Sequence, residues 1–235
     1  HEMNKGALRL YKKLKHKAFQ PKSICEVGVF NPEESNILLF IKENVKTTLI
    51  EADPEYASNI RKYFGDLPTL TVIEAAVYDY NGTVELYKRA SSTFIATLES
   101  SPALVNDNYK KDKKDSFLAK SILFSDIDTG EFELVSIDIE GAEWFVLKHM
   151  NSRPAVISIE THGKYYTNPH YDKIKKWMSE NKYELWFTDS SDSVFIRRGT
   201  FKVNIFEKLK LLANELKFWL VRRKKIFKNL TRKNK

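Results

Sequence analysis

The feature that most constrains this chain is an alternation of strand-like and helix-like segments joined by short links. Apolar runs rich in β-branched residues at 23–29, 47–51, 70–76, 83–87, 132–138 and 156–160 predict strands, and 183–187 and 193–197 close the series. Helical spacing falls between them, over 5–17, 32–44, 54–64, 144–150 and 171–181. Leu8, Tyr11 and Leu14 share one face of the first, and Ile37, Leu38 and Ile41 one side of the second. Pro32 and Pro54 suit a first helical turn, and Gly65 suits a helix end. Strand–helix alternation of this kind predicts an α/β, doubly wound, largely parallel sheet covered on both faces. Only the turn-rich run 188–192 separates the last two strands, so they should form a hairpin that sets an antiparallel member at one sheet edge. Sheets of this type bind ligands at the carboxyl ends of their strands. The polar stretch 88–120 has no clear period and reads as a lid or binding loop.

Charge divides the chain unevenly. The whole sequence carries +8, yet residues 200–235 hold 12 Lys+Arg against 2 Asp+Glu, a local +10 that leaves −2 for residues 1–199. This predicts a body at 1–199, with an N-terminal helix at about 5–18, and a basic helical tail at 200–235. The acidic body argues against nucleic acid as a partner. Within the tail, Ile205, Leu209, Leu212, Leu216, Trp219, Ile226 and Leu230 recur at mostly helical steps among lysines and arginines. A basic amphipathic helix over 201–230 reads either as a membrane-surface element or as a helix packed on the body or a partner chain. No run approaches 18 apolar residues, and Cys25 is the single cysteine, which forbids an internal disulfide or a Cys-cluster metal site. The expected location is therefore a reducing cytoplasm, peripheral at a membrane surface through the tail. His1-Glu2-Met3 reads as an expression remnant.

Acidic residues recur at the expected strand ends: Glu26 with Gly28, Glu51 with Asp53, Asp138 with Glu140, and Glu160. Carboxylates are costly at the ends of buried strands unless something binds there, so four in succession point to one shared crevice. The competing reading is that each caps the next helix, which suits Asp53 ahead of Pro54 in particular. Gly28 allows a sharp turn out of the first strand and close approach of a ligand. Glu51 lies 23 residues further on, the spacing of an acid that binds a ribose hydroxyl pair. A pyrophosphate would need further glycines, so the pattern favours an adenosine cofactor without phosphates over a nicotinamide dinucleotide.

The segments Glu26-Val27-Gly28, Leu49-Ile50-Glu51-Ala52-Asp53-Pro54, Ala75-Ala76-Val77, Ser136-Ile137-Asp138-Ile139-Glu140-Gly141-Ala142-Glu143 and Ile157-Ser158-Ile159-Glu160-Thr161-His162 resemble the FkbM family of S-adenosylmethionine-dependent methyltransferases. The resemblance spans roughly residues 23–163 in the family order, and the 138–143 motif is its most specific element. It implies a class I Rossmann-like methyltransferase fold with a seven-stranded sheet, S-adenosylmethionine as cofactor, and O-methylation of hydroxyls on sugars or other secondary metabolites. By the same resemblance Glu26, Gly28 and Phe30 match the loop around the methionine portion of the cofactor, and Glu51 the ribose acid. Ala52 and Asp53 match positions beside the adenine, and Ala75 and Ala76 the segment that closes over it. Asp138 and Glu140 fall where the transferable methyl faces the acceptor. The sequence departs from the family at 30–32, where Asn and a further Gly are common.

A sugar hydroxyl is a poor nucleophile until a base draws off its proton. Asp138, Glu140, Glu160 and His162 are the candidates, with His162 or Asp138 as base and Glu160 orienting a neighbour or the sugar. Alternatively, Asp138 and Glu160 hold a divalent cation, Mg²⁺ or Mn²⁺, that polarises the hydroxyl. His162 beside Gly163 also fits a plain surface turn, and Glu143 a helix's first turn, where the macrodipole favours an acid. Ser91, Ser92, Thr93, Tyr109, Tyr165 and Tyr166 are candidates for an acceptor pocket. Other readings are an RNA or protein acceptor, or a non-catalytic cofactor-binding or scaffold module of a larger glycan-building protein.

Overall fold

The computed structural model describes residues 5–89, 92–97, 101, 104–105, 112–163, 166–189 and 191–214. Ser91, Tyr109, Tyr165 and the basic run beyond residue 214 lie outside the described residues. The chain begins with α1 (Lys5–His16), β1 (Ser23–Val27), α2 (Leu38–Lys42), β2 (Lys46–Glu51), α3 (Pro54–Phe64) and β3 (Leu70–Glu74). Four strands follow: β4 (Ala76–Val77), β5 (Gly82–Arg89), β6 (Ser92–Ile95) and β7 (Ser116–Ile122). The alternation then resumes with β8 (Leu134–Ile137), α4 (Glu143–Lys148), β9 (Val156–Glu160), α5 (Tyr171–Glu180), β10 (Tyr183–Thr188) and β11 (Asp192–Arg197). Residues 205–214 form a last helical stretch. Among the described residues no helix is long and apolar enough to cross a membrane.

The main sheet has seven strands, as the resemblance implied, in the order β3-β2-β1-β8-β9-β11-β10. Its first five strands run parallel. The closing hairpin lies at one edge as expected, but the antiparallel strand β11 sits one place in, between β9 and the outermost β10. Successive side chains of a strand point to opposite faces, and here both faces are covered. Ile24, Leu49, Leu134 and Val156 pack on one side against Leu10 and Leu14 of α1, Phe40 and Ile41 of α2, and Ile60 of α3. Val27, Ile50, Val135, Ile137 and Ile157 pack on the other against Val146 and Leu147 of α4 and Ile174 and Met178 of α5. Each such side chain contributes about 1.5–3 kcal/mol by leaving water.

Three sequence expectations need correction. Residues 32–44 do not form one helix. Pro32–Glu34 is a single 3₁₀ turn and α2 starts at Leu38, because the buried Glu26 carboxylate draws in the Ser35 hydroxyl and the Asn36 amide and interrupts the helical ladder. The strand expected at 70–76 breaks at Ala75, and Ala76–Val77 joins a different sheet. The stretch 88–120 is not wholly irregular: β6 and β7 lie in it and complete a second, four-stranded sheet in the order β4-β7-β5-β6. This second sheet stands where the crossover from β3 to β8 passes the strand ends, and it walls the site.

Candidate active site

The carboxyl ends of β1, β2 and β8 open on one cavity of about 280 Å³. Glu26, Gly28, Phe30, Glu51, Ala52, Ala75, Ala76, Asp138 and Glu140 all line it. Glu26, Glu51, Asp138 and Glu140 thus share one cavity, whereas Glu160, at the end of β9, is not in its lining. Asp53 is not in the lining. It caps α3 by accepting the Glu55 amide at 2.9 Å and pairs with Lys88 at 2.9 Å, the alternative its position before Pro54 suggested. Glu34, Asn36, Tyr56, Leu86, Thr93 and Ile95 are also in its wall. Thr93, a candidate for an acceptor pocket, comes with Leu86 and Ile95 from the second sheet, which periodicity does not reveal.

Gly28 is the pivot. Its amide bonds Ile50 O at 2.9 Å, and the Asp138 amide bonds Val27 O at 2.9 Å, so three strands meet around it. Its φ is +83°, and a Cβ there would lie 1.9 Å from the Asp138 carbonyl oxygen. Glu51 fixes the turn that follows: one carboxylate oxygen accepts the Val29 and Phe30 amides at 3.1 and 2.9 Å, the other the Asp53 amide at 2.9 Å. Phe30 takes the left-handed conformation (φ 55°) that glycine adopts without strain, at the point where the sequence departs from the family pattern. Glu140 does the same after β8 (φ 57°). Such residues gather at ligand sites, where the surroundings hold them in place.

A second feature adjoins the cavity behind Asp138. Carboxylate oxygens of Asp138, Glu143 and Glu160 lie within 4.8 Å of one another. Glu143 does begin α4, but its carboxylate turns back to accept the Ile139 and Gly141 amides at 3.1 and 3.0 Å and the Asn168 side-chain amide. Glu160 Oε2 and the Tyr166 hydroxyl are buried with no hydrogen-bond partner among the described residues. Burial, reinforced by the neighbouring carboxylates, raises Asp138 and Glu160 well above the usual carboxylate range. Burial raises Glu143 as well, against the pull of its amide donors.

His162 stands apart. Its ring nitrogens meet the Thr161 hydroxyl at 2.9 Å and the Asp189 carbonyl at 3.3 Å, its amide bonds Ser191 O at 3.1 Å, and it does not line the cavity. A smaller cavity of about 210 Å³ lies beside the first and shares Asp138 and Asn36 with it. Its other walls are Lys5, Gly6 and Arg9 of α1 and Asp189, Ser191 and Asp192 at the hairpin.

The model of the methyltransferase FkbM domain matches residues 17–185, most of the chain and all of the strand ends just described. The chain belongs to the FkbM methyltransferase family. It is thus an S-adenosylmethionine-dependent methyltransferase. Similar solved structures include the methyltransferase domain of bacterial CtHen1 (10% identity, TM-score 0.45, covering 81% of this chain and 95% of that one). A putative RNA methyltransferase, PH1948 from Pyrococcus horikoshii, is 10% identical (TM-score 0.43, covering 81% and 79%). The glycopeptide N-methyltransferase MtfA is 8% identical (TM-score 0.40, covering 82% and 89%). No curated protein matches the chain.

The buried acids of this FkbM methyltransferase make its stability pH-dependent. Burial pushes Glu26 up to about 7, against the hydrogen bonds from Ser35 (2.5 Å) and Asn36 (2.8 Å). Asp192 is likewise pushed up to about 7, by burial and then by Asp189. A folded state that holds protons more tightly than the unfolded chain gains stability at low pH and loses it as pH rises through the raised value. At one pKa unit per about 1.4 kcal/mol, ionising Glu26 costs the fold about 3 kcal/mol. The melting temperature of the ligand-free FkbM protein is therefore expected to fall between pH 4.5 and about 7. Glu26→Gln, whose amide oxygen can accept from the Asn36 amide while its NH2 donates to the Ser35 hydroxyl oxygen, should flatten that slope; an unchanged slope would remove Glu26 as the titrating group.

Proposed function

We infer that this FkbM protein transfers the methyl group of S-adenosylmethionine to a hydroxyl of a sugar or glycan. The observation that carries the reading is the charge of the main cavity. Glu26, Glu34, Glu51, Asp138 and Glu140 line it, and among the described residues no Lys, Arg or His does. S-adenosylmethionine brings a sulfonium and an ammonium, which offset buried carboxylates, whereas a phosphate-bearing cofactor would be repelled. Glu51 takes the ribose hydroxyls, and Ala52, Ala75 and Ala76 the adenine. Glu26, Gly28 and Phe30 surround the methionine portion.

S-adenosylmethionine supplies a methyl already activated on a cationic sulfur, so the protein's work is alignment and proton removal. Asp138 lies on the boundary of both cavities, where a donor in one and an acceptor in the other would meet. Burial and the neighbouring carboxylates raise its affinity for a proton, which makes it a stronger base than an exposed carboxylate. The smaller cavity is lined largely by hydrogen-bonding side chains, which suits a polyol. The test is incubation with S-adenosylmethionine and a panel of saccharides and nucleotide sugars, read by mass spectrometry. Gain of one methyl on a sugar hydroxyl is expected. Methylation confined to amines, RNA or protein would overturn the acceptor assignment and leave the donor standing.

The carboxylate cluster supports a metal-assisted form of the same reaction. Asp138, Glu143 and Glu160 are the residues that would hold Mg²⁺ or Mn²⁺, since hard cations prefer carboxylate oxygens and Glu160 Oε2 is buried with no partner among the described residues. A cation there would polarise the acceptor hydroxyl. A direct Mn²⁺ titration distinguishes this form, with binding lost in Glu143→Gln as the supporting result.

A further inference from the structure

The last helical stretch shows an unusual division of its surface. Asn204 and Glu207 start it with reciprocal bonds, the Glu207 amide to Asn204 Oδ1 at 2.9 Å and the Asn204 amide to Glu207 Oε2 at 3.0 Å. Glu207 also fastens it to the body, through Lys13 at 3.3 Å, Lys17 at 2.7 Å and Trp186 Nε1 at 3.0 Å. Phe201, just before it, packs edge-on against Trp186 at 4.8 Å. Positions 207, 211 and 214, about one helical turn apart, are half-buried. Four of its apolar side chains are turned outward instead: Ile205, Phe206, Leu209 and Leu212 are 61, 77, 54 and 60% exposed.

At 3.6 residues per turn those four fall on one arc, with Lys208 and Lys210 on its two borders. Both lysines are exposed, as is Lys202 ahead of the helix. The sequence that follows, 215–235, adds nine Lys+Arg and a single acid. An apolar arc between cationic borders fits the boundary between headgroups and acyl chains, where long lysine stems reach to phosphates while the arc sinks inward. It fits a second copy of the chain poorly. A two-fold pairing of these arcs would bring lysine borders together, and among the described residues no acid lies on either border.

We propose that the 205–214 helix is an interfacial element that docks this methyltransferase on an anionic lipid surface, with Ile205, Phe206, Leu209 and Leu212 entering the acyl boundary. The surface is separate from the methyl-transfer site, so the proposal does not depend on the acceptor. The test is co-sedimentation of the full chain with vesicles of phosphatidylcholine alone and of phosphatidylcholine with one third phosphatidylglycerol. Sedimentation should follow the anionic lipid and weaken as salt is added. In the Phe206→Glu/Leu209→Glu variant it should fall by at least about 10-fold, with S-adenosylmethionine binding and circular dichroism unchanged. Failure to bind anionic vesicles, equal binding by the variant, or self-association that the same variant abolishes without any vesicle binding would each overturn it.

Discussion

Changing Asp138 to asparagine is expected to lower methyl transfer by about 10²- to 10⁴-fold, the usual contribution of a positioned general base. Affinity for S-adenosylmethionine should stay within a few-fold, because the substitution keeps the side chain's size and the β8 backbone. The reasoning rests on position and proton affinity together. Asp138 belongs to both cavities, and burial beside Asp192, Glu140, Glu143 and Glu26 makes its carboxylate a better base than an exposed one. An amide in its place cannot take the acceptor's proton. His162→Ala is the informative control. Its ring is tied to Thr161 and Asp189 away from the cavity, so turnover should persist within a few-fold. Full activity in Asp138→Asn together with loss in His162→Ala would reverse the assignment.

Gly28→Ala should abolish cofactor binding and lower stability more than Gly65→Ala does. The added Cβ would stand 1.9 Å from the Asp138 carbonyl oxygen and 2.8 Å from Ile139 Cγ2, so β1 and β8 would have to part where the site is built. The left-handed backbone adds about 1–2 kcal/mol for any residue with a Cβ. A total above about 4 kcal/mol would place it among the largest single-residue effects and lower the melting temperature by on the order of 10 °C. Gly65 gives the contrast. Its φ is +59° at the end of α3, but nothing lies within 4 Å of a Cβ there, so Gly65→Ala should cost only the backbone term. Similar losses at both positions would mean that close approach at Gly28 is not what its glycine serves.

The parallel sheet was legible because its strands are buried on both faces and so read as apolar runs, and the acids at their ends stood out against them. β7 was not. Its inward side chains include Ala119 and Ser121, while Leu118 points outward at 71% exposure, so the hydrophobic alternation is inverted. The break before α2 was hidden because it depends on a buried carboxylate nine or ten residues earlier in the chain. Glu143 carried the signature of an ordinary first-turn acid, and only the bend at Glu140 and Gly141 brings its carboxylate back beside Asp138 and Glu160. His162 offered the opposite lesson. Its chemistry suggested catalysis, but bonds to a turn nearly thirty residues away hold it out of the cavity.

A calorimetric titration of the protein with S-adenosylmethionine tests the acidic cavity as a donor site most directly. The expected result is saturable binding at one site per chain, weakened at least about 10-fold in Glu51→Ala, with circular dichroism reporting an intact fold. A folded protein that takes up no S-adenosylmethionine, or a Glu51→Ala variant that binds it as well as the parent, would contradict the account.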